Sequence, residues 1–425
     1  MTEIIVQVPG SKSITQRALV CAALAGGQSV LEAPLRSEDP ILLKEALAKL
    51  GVKTEETPDS WLVHGTGGEL VVGPGVHSIF MGNNGTGIRF LAALACLAKG
   101  QELDIQTIEI TGTKRMAQRP IEPLLQALRT LGAHIESRDH TGCPPVVLQP
   151  KGVLTGGKAQ VDASSSSQYL SALLLIAPYT DQPTEILLKG PLASSPYLSM
   201  TLKVMEAFGI RVSCDRHLTS FKVEKGRYSH RQYFIEGDAS SASYFFAGAA
   251  VTGRTVTVEN LPVDSMQGDA RFTDILEKMG CSVRHTASGT TVQGPGPGGL
   301  KGIEVSMKDM PDMVPTLAAI APFAKGDTVI TDCPHLRIKE TDRLAAMACE
   351  LTKIGVDVKE LPDGLVLRGG ARLRPAAINT YDDHRIAMSF AVVRLYCQGI
   401  EIQDPGCVKK SFPDFWDRWK MAWAT

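Results

Sequence analysis

The stretch Gln168–Ile186, QYLSALLLIAPYTDQPTEI, is an almost unbroken apolar run that stops at a turn and passes into a strand-like segment. A helix with no polar stripe is one buried on all sides, not one lying on a surface. The same pattern recurs at Gln16–Leu31, Ile88–Ile105, Ser241–Val258, Val314–Ile330 and His384–Ile402. With Arg17, Arg89, Gln168, Ser243, Val314 and Arg385 as markers, successive copies lie 72, 79, 75, 71 and 71 residues apart. So regular a period marks a duplicated supersecondary unit.

A second helix type lies between the copies. It is apolar at i, i+3 and i+4 and closes on Gly followed by a small or β-branched residue. Asp39–Val52, Pro120–Ala133, Pro196–Ile210, Asp269–Val283 and Glu340–Val356 have this form, and Pro413–Ala422 is a sixth candidate. These amphipathic helices are expected to cover the outside. Six such units exceed one compact domain, and three plus three is the natural division. The polar stretch Lys225–Glu236 falls halfway, and the chain opens on one short strand ahead of its first buried helix. The expectation is one domain over 10–232 and another over 1–9 plus 233–425, with hinges near 9–10 and 228–236.

Composition narrows the function. The 44 basic and 45 acidic residues leave a net charge of −1, so nothing pulls the chain toward nucleic acid or an anionic membrane. Anion binding must come from local clusters. Nine cysteines stand singly, with no C-x-x-C pair, which argues against a disulfide framework or a zinc cage and fits a reducing cytoplasm. Met1–Gln16 contains no apolar core of the kind a signal peptide needs. The longest apolar stretch, near Leu170–Pro178, is too short to span a bilayer.

The polar motifs gather at the starts of the buried helices: GSKSITQR at Gly10–Arg17, GNNGTGIR at Gly82–Arg89, SSSSQ at Ser164–Gln168, DASS at Asp238–Ser241, KDMPD at Lys308–Asp312 and DDHR at Asp382–Arg385. Each alone reads best as an ordinary N-cap. Six in register, four of them carrying Lys or Arg, point further, because free N–H groups at helix starts favour anions. Basic residues also precede amphipathic helices at RMAQRP (Arg115–Pro120), RIKETDR (Arg337–Arg343) and VKKSFP (Val408–Pro413). A solvated turn is the bland reading of each. A cleft lined by these ends would suit a substrate bearing phosphate and carboxylate.

Two motifs that nearly match better-known ones are rejected. Gly152–Lys158 has P-loop spacing, but Ala159 replaces the hydroxyl residue that would hold Mg²⁺, and a strand follows. Gly294–Gly299 fits the dinucleotide pattern literally, yet its prolines remove backbone donors and no helix follows. Both are expected to be hairpin loops. Asp382-Asp383-His384 has no partner cluster at ligand spacing, so no metal is expected.

Taken in order, G-S-K-S-x-x-x-R-A-L, G-N-x-G-T-x-x-R, R-x-x-x-R-P-I, S-S-Q-x-L-x-A-L-L, E-G-D-A-S-S-A-S-Y-F, K-E-T-D-R-L and D-D-H-R-x-A-M resemble the 3-phosphoshikimate 1-carboxyvinyltransferase family. The match runs from Pro9 to Trp416. It implies a two-domain inside-out α/β barrel, each domain built from three β-α-β-α-β-β units. By position, the resemblance assigns Lys12, Ser13, Arg17, Ser166, Ser167, Gln168, Ser194, Tyr197, Asp312, His335 and Lys339 to shikimate 3-phosphate. It assigns Lys12, Gly85, Arg119, Gln168, Arg343, Arg385 and Lys410 to phosphoenolpyruvate. Asp312, Glu340 and Lys12 become the catalytic groups: Asp312 the base for the 5-hydroxyl, Glu340 with Lys12 the proton donor to C3. Basic neighbours such as Lys339 and Arg343 are expected to tune the carboxylates. The reaction implied is enolpyruvyl transfer through a tetrahedral ketal, without cofactor, in a cytoplasmic monomer for which glyphosate is an inhibitor. His335 stands where many members have Asn, and Asn84, Gly87 and Phe90 where Ala, Ala and Pro are common.

Two other functions fit parts of the pattern. The sister enzyme that uses UDP-N-acetylglucosamine typically has a Cys on the loop corresponding to Thr111–Arg119, and none is present here. A non-catalytic anion-binding protein would have no need of both Asp312 and Glu340.

Overall fold

The computed structural model describes residues 3–73, 76–100 and 107–424; the end of the Ile88–Ile105 copy and Met1 lie outside them. Among the described residues, twelve α-helices follow one another as α1 (Lys12–Leu24), α2 (Glu38–Lys49), α3 (Gly85–Ala95), α4 (Glu122–Thr130), α5 (Gln168–Ile176), α6 (Ser195–Ala207), α7 (Ala239–Thr252), α8 (Phe272–Lys278), α9 (Val314–Ile320), α10 (Arg343–Lys353), α11 (His384–Arg394) and α12 (Phe415–Trp423). The two types seen in the sequence alternate. In α5 every residue from Tyr169 to Ile176 is buried, and α9 is buried over its whole length. In α4 only Leu124, Leu125, Ala127 and Leu128 are. Burying one leucine side chain contributes about 1.5–3 kcal/mol, so the odd-numbered helices hold much of the core energy.

The sheets repeat as regularly. The strands Gly157–Asp162, Thr184–Lys189, Ser220–Val223 and Ser213–Cys214 lie side by side in that order, the first pair parallel and the rest antiparallel. The buried helix α5 joins the parallel pair, and the amphipathic α6 leads from it to the outer hairpin. Val76–Phe80, Thr107–Thr111, Val146–Gln149 and His134–Ser137 repeat this order, as do Glu304–Ser306, Thr328–Thr331, Gly364–Leu367 and Val358–Leu361. The last copy is reduced to the parallel pair Ala376–Ile378 and Ile400–Ile402. Its closing helix docks by aromatic packing, with Phe415 and Trp419 against Phe245 at ring-centroid distances of 6.4 and 5.4 Å.

In two copies the first strand comes from far along the chain. Gln232–Phe234 pairs in parallel with the strand after α1, and Ile4–Val6 with the strand after α7. Contacts accordingly divide the chain into Lys12–Ile235 and Met1–Ser11 plus Glu236–Thr425. These limits fall two or three residues beyond 9/10 and 232/233, for a local reason. Ser11 donates its N–H to Glu236 C=O and Asp238 donates its own to Pro9 C=O, both at 2.8 Å, while Phe234 is still paired with Glu32. Within each unit the three buried helices pack on one another.

Gly152–Lys158 and Gly294–Gly299 are not hairpin loops. Each runs from the last strand of one sheet into the first strand of the next, Val146–Gln149 to Gly157–Asp162 and Gly289–Gln293 to Glu304–Ser306. They are connectors between repeats, and a single sequence offers no signal that separates that role from a hairpin.

Candidate active site

The candidate residues fall into two sets, one on each unit. On Lys12–Ile235 they sit at the starts of α1, α3, α5 and α6. Lys12 opens α1 and pairs with Asp39 at 3.1 Å. Asn84 caps α3, accepting Gly87 N–H at 2.7 Å. That cap leaves the N–H groups of Gly85 and Thr86, the first two helical residues, without an acceptor inside the helix. Arg89, one turn on, donates to Gly85 C=O at 2.8 Å and to the Gln168 side-chain oxygen at 2.6 Å, tying α3 to the start of α5. Gln168 in turn donates to Thr86 Oγ1 at 3.0 Å. Arg119, just after the turn Met116–Gln118, is 3% exposed and donates to both the carbonyl and the side-chain oxygen of Asn83, at 3.0 and 3.1 Å. Ser166 accepts Gln168 N–H, and Ser167 is buried beside it. Ser194 holds a left-handed backbone, φ 54°, at the start of α6; such strain in a residue with a side chain concentrates at functional sites.

Arg17 differs from its neighbours in this set. Its guanidinium is buried, donating to Thr201 Oγ1 at 2.7 Å and to the carbonyls of Ser13 and Tyr197 at 2.9 and 3.3 Å. It lies 5.4 Å from the centre of the Phe90 ring. Burial lowers its pKa to about 10. Arg17 thus braces α1 against α6, and Phe90 is the floor under it.

On the second unit the residues form a tighter group. Arg343, at the start of α10, is 1% exposed and holds three carboxylates: Asp383 through Nε at 2.7 Å, Asp312 through Nη1 at 2.9 Å and Glu340 through Nη2 at 2.9 Å. Burial would lower its pKa, but Asp383, Glu340 and Asp312 together hold it above the ordinary arginine value. Arg385 donates to the other oxygen of Asp312 at 2.6 Å, and Lys410 lies 3.7 Å from Glu340. Burial works to raise the pKa of Asp312, yet Arg385, Arg343 and Lys339 outweigh it and hold the carboxyl well below the usual range. His335, in the turn Pro334–Ile338, is 8% exposed. Burial, with Lys339 adding to it, lowers its pKa to about 4, so the ring is neutral at pH 7.

Sequence reasoning passed over three carboxylates here. Asp39 is the partner of Lys12. Asp383 accepts the backbone N–H of Arg385 at 2.9 Å as the cap of α11 while also holding the Arg343 guanidinium. The DDHR motif, read from sequence as a helix start, carries the capping role, while the bond to Arg343 has no signal in it. Asp269, 5% exposed and bonded to Ser240 Oγ, had no signal, since it is an ordinary acidic residue in the short turn Gly268–Arg271 that leads into α8. Burial, with repulsion from Asp312 adding to it, raises its pKa to about 7.

Among the described residues no cluster of three or more His, Cys, Asp or Glu is arranged to hold a metal, and no helix is long and apolar enough to cross a membrane. A cleft of about 910 Å³ lies elsewhere, lined by Glu122, Arg129, His134 and His140 among others, and includes none of the candidate residues. On each unit it is charge arrangement, not cavity size, that marks the candidate residues.

The family model described as EPSP synthase (3-phosphoshikimate 1-carboxyvinyltransferase) matches residues 2–419. The chloroplastic 3-phosphoshikimate 1-carboxyvinyltransferase of Brassica napus is 42% identical over 97% of this chain and 81% of its own. The enzyme of that name from Nostoc punctiforme is 42% identical over 97% and 95%. A solved structure of EPSP synthase from Acinetobacter baumannii superposes with a TM-score of 0.78 at 27% identity, over 98% of this chain and 95% of that one. The chain belongs to the EPSP synthase family.

Proposed function

We propose that this chain transfers the enolpyruvyl group of phosphoenolpyruvate to the 5-hydroxyl of shikimate 3-phosphate, with Asp312 and Glu340 as its proton-transferring carboxylates. The activity goes with the family. The assignment of roles rests on one observation: Asp312 and Glu340 are held 2.9 Å from two nitrogens of the same buried guanidinium. Two carboxylates fixed by one planar, permanently charged group keep their spacing through a reaction that uses both.

The hydroxyl oxygen bonds to C2 and gives up its proton to Asp312, while C3 receives a proton from Glu340, with Lys12 assisting. Phosphate then leaves C2 carrying the proton held by Asp312, as C3 returns a proton to Glu340, so both groups regain their starting states. Positive charge developing at C2 is stabilised by the carboxylates. A carboxylate held as low as Asp312 is a weak base. Arg343 and Arg385, which hold it, are the residues assigned to phosphoenolpyruvate. A substrate carboxylate shared between those guanidiniums adds negative charge beside Asp312 and raises its basicity where the base is needed.

Lys12, Gly85, Arg119, Gln168, Arg343, Arg385 and Lys410 bind phosphoenolpyruvate in this reading. Lys12, Ser13, Arg17, Ser166, Ser167, Gln168, Ser194, Tyr197, Asp312, His335 and Lys339 bind shikimate 3-phosphate. Arg17 contributes chiefly by fixing Ser13 and Tyr197, since its guanidinium is spent on the protein. The protein works without cofactor, as a monomer, in the cytoplasm, and glyphosate competes with phosphoenolpyruvate. Phosphate release from phosphoenolpyruvate is measured with shikimate 3-phosphate and with UDP-N-acetylglucosamine as acceptor. Release with the first alone is expected; release with the second alone, or with neither, overturns the reading.

A further inference from the structure

Asn84 does more than cap α3. A cap needs only a side-chain oxygen, which Ser or Asp supplies as well. The Asn84 amide nitrogen is the unexplained part. It donates to Asp39 C=O in the first turn of α2 at 2.7 Å and to the Gln16 side-chain oxygen in α1 at 2.9 Å. Asn84, Gln16 and Asp39 are all buried. The carboxylate of the same Asp39 pairs with Lys12. One amide therefore joins the starts of three helices, and with them the ammonium of Lys12 and the N–H groups of Gly85 and Thr86.

Gly87 records the same arrangement from the other side. Its backbone is helical, and a helix interior prefers Ala to Gly. A Cβ at this position would fall well inside van der Waals contact of Asn84 Nδ2, 2.7 Å from Asn84 Cγ and 2.8 Å from Met81 Cε. Its small size is explained by the space the amide occupies.

We propose that Asn84 is a positioning residue, which through Asp39 sets the Lys12 ammonium against the start of α3 so that both grip phosphoenolpyruvate, and that Gly87 is glycine because Asn84 stands there. The proposal rests on the assignment of Lys12 and Gly85 to phosphoenolpyruvate made above. It makes residues 84 and 87 a coupled pair. A hydroxyl at 84 keeps the cap and loses both donated bonds, and a methyl at 87 displaces the amide that makes them.

Steady-state kinetics with each substrate varied in turn decide the matter, on Asn84→Ser, Gly87→Ala, the double variant and Arg119→Ala as reference. Asn84→Ser is expected to raise KM for phosphoenolpyruvate about tenfold, as loss of both donated bonds loosens Asp39 and the Lys12 it holds. KM for shikimate 3-phosphate and kcat should stay within about twofold, a split that simple loss of folded protein does not produce. Gly87→Ala should show the same defect, and the double variant should be no worse than either single one. A wild-type KM for phosphoenolpyruvate in Asn84→Ser, or defects that multiply in the double variant, overturns the proposal. If Asn84→Ser does not fold, Gly87→Ala reads the same contact, and a wild-type KM there is equally fatal. Should Arg119→Ala raise that KM while Asn84→Ser does not, only the positioning role falls. Should neither raise it, the binding assignment itself is wrong.

Discussion

The two units hold their candidate-site arginines in different ways. On Lys12–Ile235, Arg17, Arg89 and Arg119 donate to neutral oxygens: the carbonyls of Ser13, Tyr197, Gly85, Pro120 and Asn83, the Thr201 hydroxyl, and the amide oxygens of Gln168 and Asn83. On the other unit Arg343 and Arg385 are oriented by the carboxylates Asp383, Asp312 and Glu340. Neutral acceptors fix a guanidinium without cancelling its charge, which suits a surface meant to attract anions. Carboxylates fix it and cancel the charge, and they are themselves groups that exchange protons. In the proposed reading the arginines of the first set serve binding alone, while the second set joins binding to proton transfer, so a variant at Arg119 should touch KM and one at Asp312 should touch kcat.

The comparison breaks most easily at Asp312. Asp312→Ala should lower kcat about 100- to 10,000-fold, the range for loss of a general base. KM for phosphoenolpyruvate should move far less. If the folded variant keeps more than about a tenth of wild-type turnover, Asp312 is a counter-ion and no more. Arg119→Ala is the matching test on the other unit. Loss of a charge-assisted contact should raise KM for phosphoenolpyruvate about 10- to 100-fold with a smaller change in kcat. A fall in kcat with KM unmoved would place chemistry at Arg119, where the proposed reading puts only binding.

Glyphosate sharpens the binding side. A methyl at Gly85 would lie 2.6 Å from Arg119 Cζ and closer still to Nη2, so Gly85→Ala must push the guanidinium aside. Overpacking of this kind costs about 1–3 kcal/mol. Inhibition competitive with phosphoenolpyruvate is expected in the wild type. The inhibition constant should rise about 5- to 100-fold in Gly85→Ala, with a smaller rise in KM. Wild-type activity that survives millimolar glyphosate, or an unchanged constant in the variant, removes the steric argument. Phe90, buried under Arg17 on the next turn, would then be the residue to exchange.

Much of this was legible in the sequence because repetition made it so. Any one apolar run is ambiguous, but six with a near-constant period gave the alternation of buried and amphipathic helices, and with it the clustering of polar residues at helix starts. Residues at those starts, from Lys12 to Arg385, were found for that reason. Gly152–Lys158 and Gly294–Gly299 were misread because a Gly-rich turn looks the same whether it closes a hairpin or links two sheets. Asp39 and Asp269 were missed because both sit at or just before the start of a helix, where an acidic residue is ordinary. The ion pair of Asp39 with Lys12 and the contact of Asp269 with Ser240 are tertiary facts, made by elements 27 and 29 residues apart.

Asp269 supplies the smallest and most discriminating effect. Its carboxyl has a pKa of about 7 in the folded protein, raised by burial and by Asp312, with Arg385 opposing, against about 3.9 in an unfolded chain. Between these values the native state holds a proton that the unfolded state has lost. Stability from this group is therefore fully present below about pH 4 and falls as pH rises toward 7, by up to about 1.4 kcal/mol per unit. His335 runs the other way over part of the range. Burial lowers its pKa to about 4, so its unfolded form binds more protons and stability rises from about pH 4 to 6.5. A wild-type profile alone mixes the two, whereas the difference between wild type and Asp269→Asn isolates the carboxyl. Denaturant melts at pH 5 and pH 7 should show the wild type losing about 2 kcal/mol more than the variant over that interval. Asp312→Asn, which removes the neighbouring charge, should shrink the wild-type loss. Equal slopes in wild type and Asp269→Asn would mean that Asp269 is ionised in the folded protein and shares Arg385 with Asp312. The carboxylates of this unit would then number one more than the comparison allows.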